Sequence, residues 1–356
     1  MIQTTRPAYR RLQDEESRFL YEKRCMWAIT GDDRYIDDII DSVFDRAAAD
    51  EMMKKAAAVS DRLFIRGLGN EYQTIRKFYP DLKFFGFVDR DPVKVAMGAV
   101  DGHRIISPGE FYEKYPDAYI IVNSSAFSEE IMRELMEHGI PEEHIFNFGN
   151  LSRSTEQYFE PGIISPQEHE VFVDGGCYDG TTYRRFAKWC GGNYDAIWSF
   201  EPDRHNYEVT LASLEKNPVK NVKLFNKGLW DKNGTLYFNS SGTQGSGIVD
   251  GPGKGDGTDR DADKGIISIE VASIDETLQG APATFIKLDV EGAEYETLTG
   301  AADTIRKYHP RMAISIYHKP EDIFTLPELV LSFSDEYRFY LRHYQLSRYE
   351  TILYAV

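Results

Sequence analysis

The chain has 356 residues, a 42% apolar share and a formal charge of -17 at neutral pH. That length exceeds what one hydrophobic core usually supports, so two domains are expected. The negative charge disfavours nucleic acid and anionic membranes as partners, with no dense Lys/Arg cluster to override it, and no apolar run approaches the roughly 20 residues of a bilayer span.

A neutral or small substrate suits such a chain better. Cys25, Cys177 and Cys190 make no metal-ligand spacing and no even disulfide set, and the opening stretch MIQTTRPAYRRLQDEESRFL has no apolar h-region. Both features point to a reducing cytoplasm.

In chain order, residues 14 to 58 carry apolar positions at helical spacing without an internal proline, which predicts a helical N-terminal segment over 1–60. From 61 to 150 the pattern alternates. The stretch RLFIRGLG reads as a strand ending in glycines, NEYQTIRKFY as a helix and KFFGFVD as a second strand with an acid at its end; AYIIVNS and HIFNF follow as strands, with helices near 109–115 and at SEEIMRELMEHG. Strands alternating with helices predict a parallel sheet, here a smaller Rossmann-like α/β domain. Gly67, Gly69 and Asp89 form half of a nucleotide-binding fingerprint, but Tyr72 stands where a third small residue belongs. Three uses of this domain remain open: shaping an acceptor pocket, dimerisation, or binding a nucleotide-linked substrate.

A polar stretch with two prolines over 150–168 marks the boundary, and the alternation restarts. Strands are expected at EVFVDGG, DAIWSFEP, VKLFNKGLW, TLYFNS, ISIEVASI, TFIKLDVEG and RMAISIYH, with helices near 181–189, 204–216 and 293–307. The closing segments EYRFYLRHYQ and TILYAV are too close in sequence to pair in parallel, so they predict an antiparallel hairpin. The stretch 240–265 is rich in Gly and Asp and reads as a loop that could close over a substrate or be a mere insertion.

In open α/β sheets ligands bind beyond the carboxyl ends of strands. Asp174 ends the first strand of this half and is followed by Gly175, Gly176 and Gly180; Glu201 ends the next, where dinucleotide folds place the acid that takes ribose hydroxyls. Asp174 and Asp179 beside the turn would repel a pyrophosphate and attract a cationic centre. S-adenosylmethionine, with a ribose, an amino group and a sulfonium but no phosphate, matches those charges.

The blocks VFVDGGCYDGTT, SFEPDRHNYEVTLASL, NKGLWDKNGTLYF, VASIDETL and FIKLDVEGAEYETLTGA, in that order, resemble the FkbM family of S-adenosylmethionine-dependent O-methyltransferases over roughly 165–356. The resemblance implies a class I methyltransferase domain over 165–356, a seven-stranded sheet with an antiparallel last strand. It implies Asp174, Gly175, Gly176 and Gly180 around the methionine part of the cofactor, Glu201 with Pro202 at the ribose, and Asp289 closing the site. Tyr178 departs from the general methyltransferase pattern, which has glycine there. The acceptor implied is a hydroxyl of a sugar or another polyhydroxylated metabolite.

Methyl transfer to a hydroxyl uses a base near the acceptor. Asp289, Glu291 and His318 follow two strand ends and qualify by position. No metal is expected: Asp289, Glu291 and Glu294 could hold magnesium, but Glu291 and Glu294 also suit the first turn of the helix that follows, and Lys287 could pair with one of them. Readings of other classes are a nicotinamide-dependent oxidoreductase built on Gly67, Gly69 and Asp89, and a non-catalytic nucleotide-binding protein.

Overall fold

A computed structural model describes residues 6–124, 127–151, 157–239, 248–249 and 266–356. The chain divides into two compact units, a larger one (up to Ala28, Tyr158–Arg342 and Ile352–Val356) and a smaller one (Ile29–Gln157 and His343–Thr351). This division differs from the boundaries read off composition: the helical segment is shared between the units instead of standing alone. Leu12 bridges Phe339, and the Arg342 guanidinium donates to Asp14 at 2.7 Å, which fastens the first helices to the larger unit.

The smaller unit holds β1 (Leu63–Arg66), β2 (Gly86–Val88), β3 (Ala99–Val100), β4 (His103–Ile106), β5 (Tyr119–Val122) and β6 (Ile145–Asn147) in the order β3-β4-β2-β1-β5-β6. All pairs are parallel except β3 with β4. β1 is buried on both faces, as a central parallel strand covered by helices must be. Phe64, Val88, Ile120 and Val122 pack against Phe111, Ile131 and Leu135 from the crossover helices. The β3–β4 hairpin is absent from the sequence reading. It turns on Asp101-Gly102, both at positive φ, and this Asp-Gly pair was the available signal.

The larger unit continues with β7 (Glu170–Gly175), β8 (Tyr194–Phe200), β9 (Val222–Phe225), β10 (Gly228–Leu229), β11 (Gly234–Asn239), β12 (Ile248–Val249), β13 (Ile266–Ala272), β14 (Phe285–Leu288), β15 (Arg311–Ser315), β16 (Phe339–His343) and β17 (Thr351–Ala355). Seven of them form one sheet in the order β16-β17-β15-β14-β7-β8-β9. β17 inserts antiparallel beside β15, and reciprocal Arg338–Val356 backbone bonds close the terminal hairpin. This is the class I methyltransferase sheet with its antiparallel last strand. The segments TLYFNS and ISIEVASI do not extend it: β11 and β13 pair antiparallel in a separate four-stranded sheet, β10-β13-β11-β12. Most of the loop 240–265 lies outside the described residues.

At the amino end of the main sheet, Glu170 is fully buried and accepts two bonds from Arg311 Nη2, at 2.6 and 2.7 Å, which clamps β7 to β15 across β14. The opposite, carboxyl edge carries the polar strand ends.

Candidate active site

The turn after β7 is glycine-rich because the chain folds against itself there. Gly176 has φ +77°, and a Cβ on it would lie 1.9 Å from the Asp289 carbonyl oxygen; at Gly180, φ +81°, a Cβ would meet the Tyr183 ring at 2.6 Å. A Cβ on Gly175 would press on Leu229 and Leu288. The close approach inferred from glycine density is thus made by neighbouring strand ends and a ring of the same unit. Tyr178, where glycine is the general pattern, adopts φ +50° and leaves its ring 60% exposed. The glycine conformation is kept without glycine.

Three acids stand at the carboxyl ends of the adjacent strands β14, β7 and β8. Asp174 is fully buried, and neither carboxylate oxygen has a hydrogen-bond partner among the described residues. Lys287 Nζ lies 3.5 Å from Asp174 Oδ1 and donates to the carbonyls of Gly175 at 2.9 Å and Gly176 at 2.6 Å. Burial pushes the Asp174 carboxyl above its ordinary range, with Lys287 opposing. Among the described residues the ion pair of Lys287 is thus with Asp174 on β7, and not with Asp289, Glu291 or Glu294 as the sequence reading allowed.

Glu201 is 6% exposed; its Oε2 accepts from Tyr178 N and its Oε1 from Asp203 N, at 2.8 and 2.9 Å. Each oxygen keeps a second lone pair. Burial raises this carboxyl against the pull of the two amides. Asn226 Nδ2 donates to the carbonyls of Glu201 and Pro202, so Pro202 serves the backbone of the strand end.

Asp289, just beyond β14, accepts from Tyr317 OH on Oδ1 and from Tyr158 OH on Oδ2, both at 2.8 Å. Burial would raise its carboxyl, but Lys287, His318 and the two hydroxyls together hold it below the ordinary range. His318 lies with Nε2 3.6 Å from Asp289 Oδ1 and Nδ1 2.9 Å from Glu294 Oε1. Burial alone would depress its pKa; Glu294, Asp289 and Glu291 reverse that and push it up to about 9. His318 is therefore an imidazolium at neutral pH and has no lone pair with which to take a proton.

Glu291, at φ +55°, is 92% exposed and 3.6 Å from His318 Nε2. Glu294, the first residue of the helix Glu294–Thr299, is buried and accepts from Val290 N in the loop before that helix. Among the described residues, Asp289, Glu294 and His318 are close enough to share a metal ion. Their facing atoms are instead engaged with one another, with two tyrosines and with a loop amide. Asp322, pushed up to about 7 mainly by burial, accepts from Lys319 N nearby.

The sequence reading therefore names Asp174, Glu201, Asp289, Glu291 and His318, and the structure brings all five to one sheet edge. It misses Tyr158, which sits in a stretch assigned to the domain boundary and offers no local signal. Tyr317 was within reach of the strand-end rule, one position before His318. Cys177 is buried, and burial raises its thiol, so it is no nucleophile.

Residues 174–345 match the methyltransferase FkbM domain, and residues 59–146 match the C2185-like, N-terminal domain. No curated protein matches. Among solved structures, methyltransferase FkbM from Methylobacillus flagellatus KT is 20% identical, with 96% of this chain and 99% of that one covered at a TM-score of 0.49. An rRNA methylase from Streptococcus thermophilus is 13% identical over 54% of this chain and 87% of its own, TM-score 0.33. Aeropyrum pernix fibrillarin, solved with natively bound S-adenosyl-L-methionine, is 10% identical over 54% of this chain and 67% of its own, TM-score 0.33. No helix among the described residues is long and apolar enough to cross a membrane. With the strand order, the three strand-end acids and the domain match over 174–345, the chain is an S-adenosylmethionine-dependent methyltransferase carrying an FkbM domain.

Proposed function

We propose that the chain methylates a hydroxyl of a sugar or another polyhydroxylated metabolite, in a reducing compartment such as the cytoplasm. The acceptor class follows from the resemblance to the FkbM family, and the compartment from three buried free cysteines. The observation that carries the chemistry is Asp289, an ionised carboxylate at a strand end, held by two tyrosine hydroxyls beside a protonated histidine.

The residues present suit the cofactor. Asp174 has two buried oxygens without hydrogen-bond partners, and Glu201 keeps free lone pairs fixed in direction by two amides, a set that favours a cationic, hydroxyl-bearing ligand over a phosphate. Asp174 and the turn Gly175–Gly180 would hold the methionine end, and Glu201 the ribose. S-adenosylmethionine, when bound, supplies an electrophilic methyl group on a sulfonium.

The remaining work falls to the chain. Asp289 accepts the proton of the acceptor hydroxyl on a carboxylate oxygen, and its two tyrosine donors keep that carboxylate from rotating. His318 stays protonated and balances the carboxylate charge. Of the three candidates for the base, Asp289 is therefore the assignment; Glu291, open to solvent and without a side-chain hydrogen bond among the described residues, is less fixed.

Release of S-adenosylhomocysteine is measured with sugars, polyols and control amines as acceptors. Glu201→Gln should weaken S-adenosylhomocysteine at least about tenfold, about 1.4 kcal/mol, and Asp289→Asn should lower kcat about 100-fold. A wild-type protein that binds no adenosyl ligand, or an Asp289→Asn variant of full activity, defeats the reading.

A further inference from the structure

The smaller unit repeats the acid-and-turn arrangement of the larger one, with a buried arginine at the strand end. In sheet register Arg66, the last residue of β1, takes the place of Gly175, each pairing with the last residue of the next strand, and Gly67 and Gly176 follow at positive φ. At the end of the next strand in each unit stands a buried acid. Glu201 fastens the amides of Tyr178 in the turn and of Asp203 two residues on; Asp89 does the same with Leu68 N and Asp91 N, both at 2.9 Å. Their exposures are 6% and 5%; Lys94 Nζ lies 3.6 Å from Asp89 Oδ2, and the lone pairs that the amides leave on Asp89 remain for a ribose diol.

The sheet order puts β1 at the switch point, with β2 on one side and β5 on the other, where open α/β sheets take ligands. Gly67, at φ +106°, and Gly69 lead directly into the helix Asn70–Phe78. Tyr72, the misfit in the fingerprint, is buried between that helix and β2, 4.8 Å ring to ring from Phe87, with its hydroxyl on Asp101. It is absorbed into the packing.

Two buried polar side chains at this turn are left short of partners. Arg66 is 3% exposed; its Nη2 reaches Glu134 Oε2 at 3.3 Å, while its Nε has no partner among the described residues. Asn123, the residue after β5, is 1% exposed, donates to Gly67 O at 3.3 Å and leaves Oδ1 unpartnered. The turn Gly67–Gly69 contains no acid, whereas its counterpart Gly176–Gly180 carries Asp179. A buried cation at the last strand residue, glycines and a helix N-terminus together favour phosphate.

We propose that the smaller unit is a second ligand site that takes a nucleoside diphosphate or its ester, with Asp89 on the ribose hydroxyls and Arg66, the Gly67–Gly69 turn and the helix amides toward the phosphates. This site is separate from the methyltransferase site and does not depend on that assignment.

The test is calorimetric titration of the full chain with ADP, UDP and NAD+, with and without saturating S-adenosylhomocysteine. At least one of the three should bind at one per chain in both conditions, weaken tenfold or more in Asp89→Asn, and be unchanged in Glu201→Gln. Because Asp89 also anchors two amides, Arg66→Met is the companion variant: it leaves those bonds in place and should cost at least tenfold in affinity for the diphosphate. Thermal melting confirms that each variant is folded. The proposal is overturned if none of the three binds the wild-type chain, if binding is indifferent to a folded Arg66→Met, or if it vanishes in Glu201→Gln. The response to S-adenosylhomocysteine alone judges the methyltransferase site, so the two readings fail separately.

Discussion

Stability of the larger unit should fall between pH 6 and pH 9 because of His318. Burial alone would lower its pKa, but Glu294, Asp289 and Glu291 raise it from 6.5 to about 9. For a base whose folded pKa is raised, the added stability is complete below the unfolded pKa and is lost as pH climbs through the folded value. A rise of about 2.5 units at about 1.36 kcal/mol each is worth about 3 kcal/mol, of which about 2.5 remains at pH 7 and under about 0.5 at pH 9. The assay is urea unfolding of wild type and His318→Gln at pH 6, 7, 8 and 9. Trp27, Trp189, Trp198 and Trp230 are the only tryptophans and all belong to the larger unit, so their fluorescence reports that unit alone. Asp322, pushed up to about 7 and held down in part by His318, shifts further up in His318→Gln, so the two proteins are compared in an Asp322→Asn background. The gap between the two proteins should shrink by about 2 to 3 kcal/mol from pH 6 to pH 9. A gap that stays constant across that range would mean a neutral imidazole in the folded state and would refute the argument.

Three further outcomes follow from the same edge and from the far end of the sheet. Gly176→Ala puts a methyl against the Asp289 carbonyl at positive φ, and should cost about 3 kcal/mol or more by the same fluorescence assay. Tyr317→Phe removes one of two hydroxyls that hold Asp289 ionised; the acid limb of the kcat profile should move up by about one pH unit, and an unmoved profile would clear Asp289 of the base role. Arg311→Ala strands the fully buried Glu170 and should destabilise the larger unit by about 3 to 5 kcal/mol, read as a lower unfolding midpoint with adenosyl-ligand affinity unchanged.

Much of this site was legible in the sequence because its determinants are local. A strand, an acid at its end and a glycine turn occupy ten residues, and the sheet rule then places Asp174, Glu201 and Asp289 on one edge. The protonation state of His318 was not legible. It depends on Glu294 and Asp289, which approach it only when the ends of β14 and β15 lie side by side. Tyr158 was hidden for the same reason: it lies 131 residues from Asp289 and is brought there by folding alone. The glycines misled in part, since low side-chain volume says that something comes close but not whether it is a ligand or the Asp289 carbonyl. The extra sheet of β10 to β13 escaped because alternation predicts strands, not the sheet they join.

The two glycine turns also show where ligand choice is written. Each unit pairs a turn after its first strand with an acid after its second, and each acid binds the same two kinds of amide. That shared framework fits a ribose and is blind to the rest of the ligand. The buried charges around each turn are not blind. Asp174 leaves the larger unit with more buried acid than Lys287 and His318 offset, a balance that a cationic ligand completes and a phosphate worsens. In the smaller unit the buried charge beside the turn is Arg66, one register position nearer the strand end than Asp174 and paired with Glu134. On this argument the glycines set the shape of both turns, and the buried charges around them set the sign of charge each one accepts.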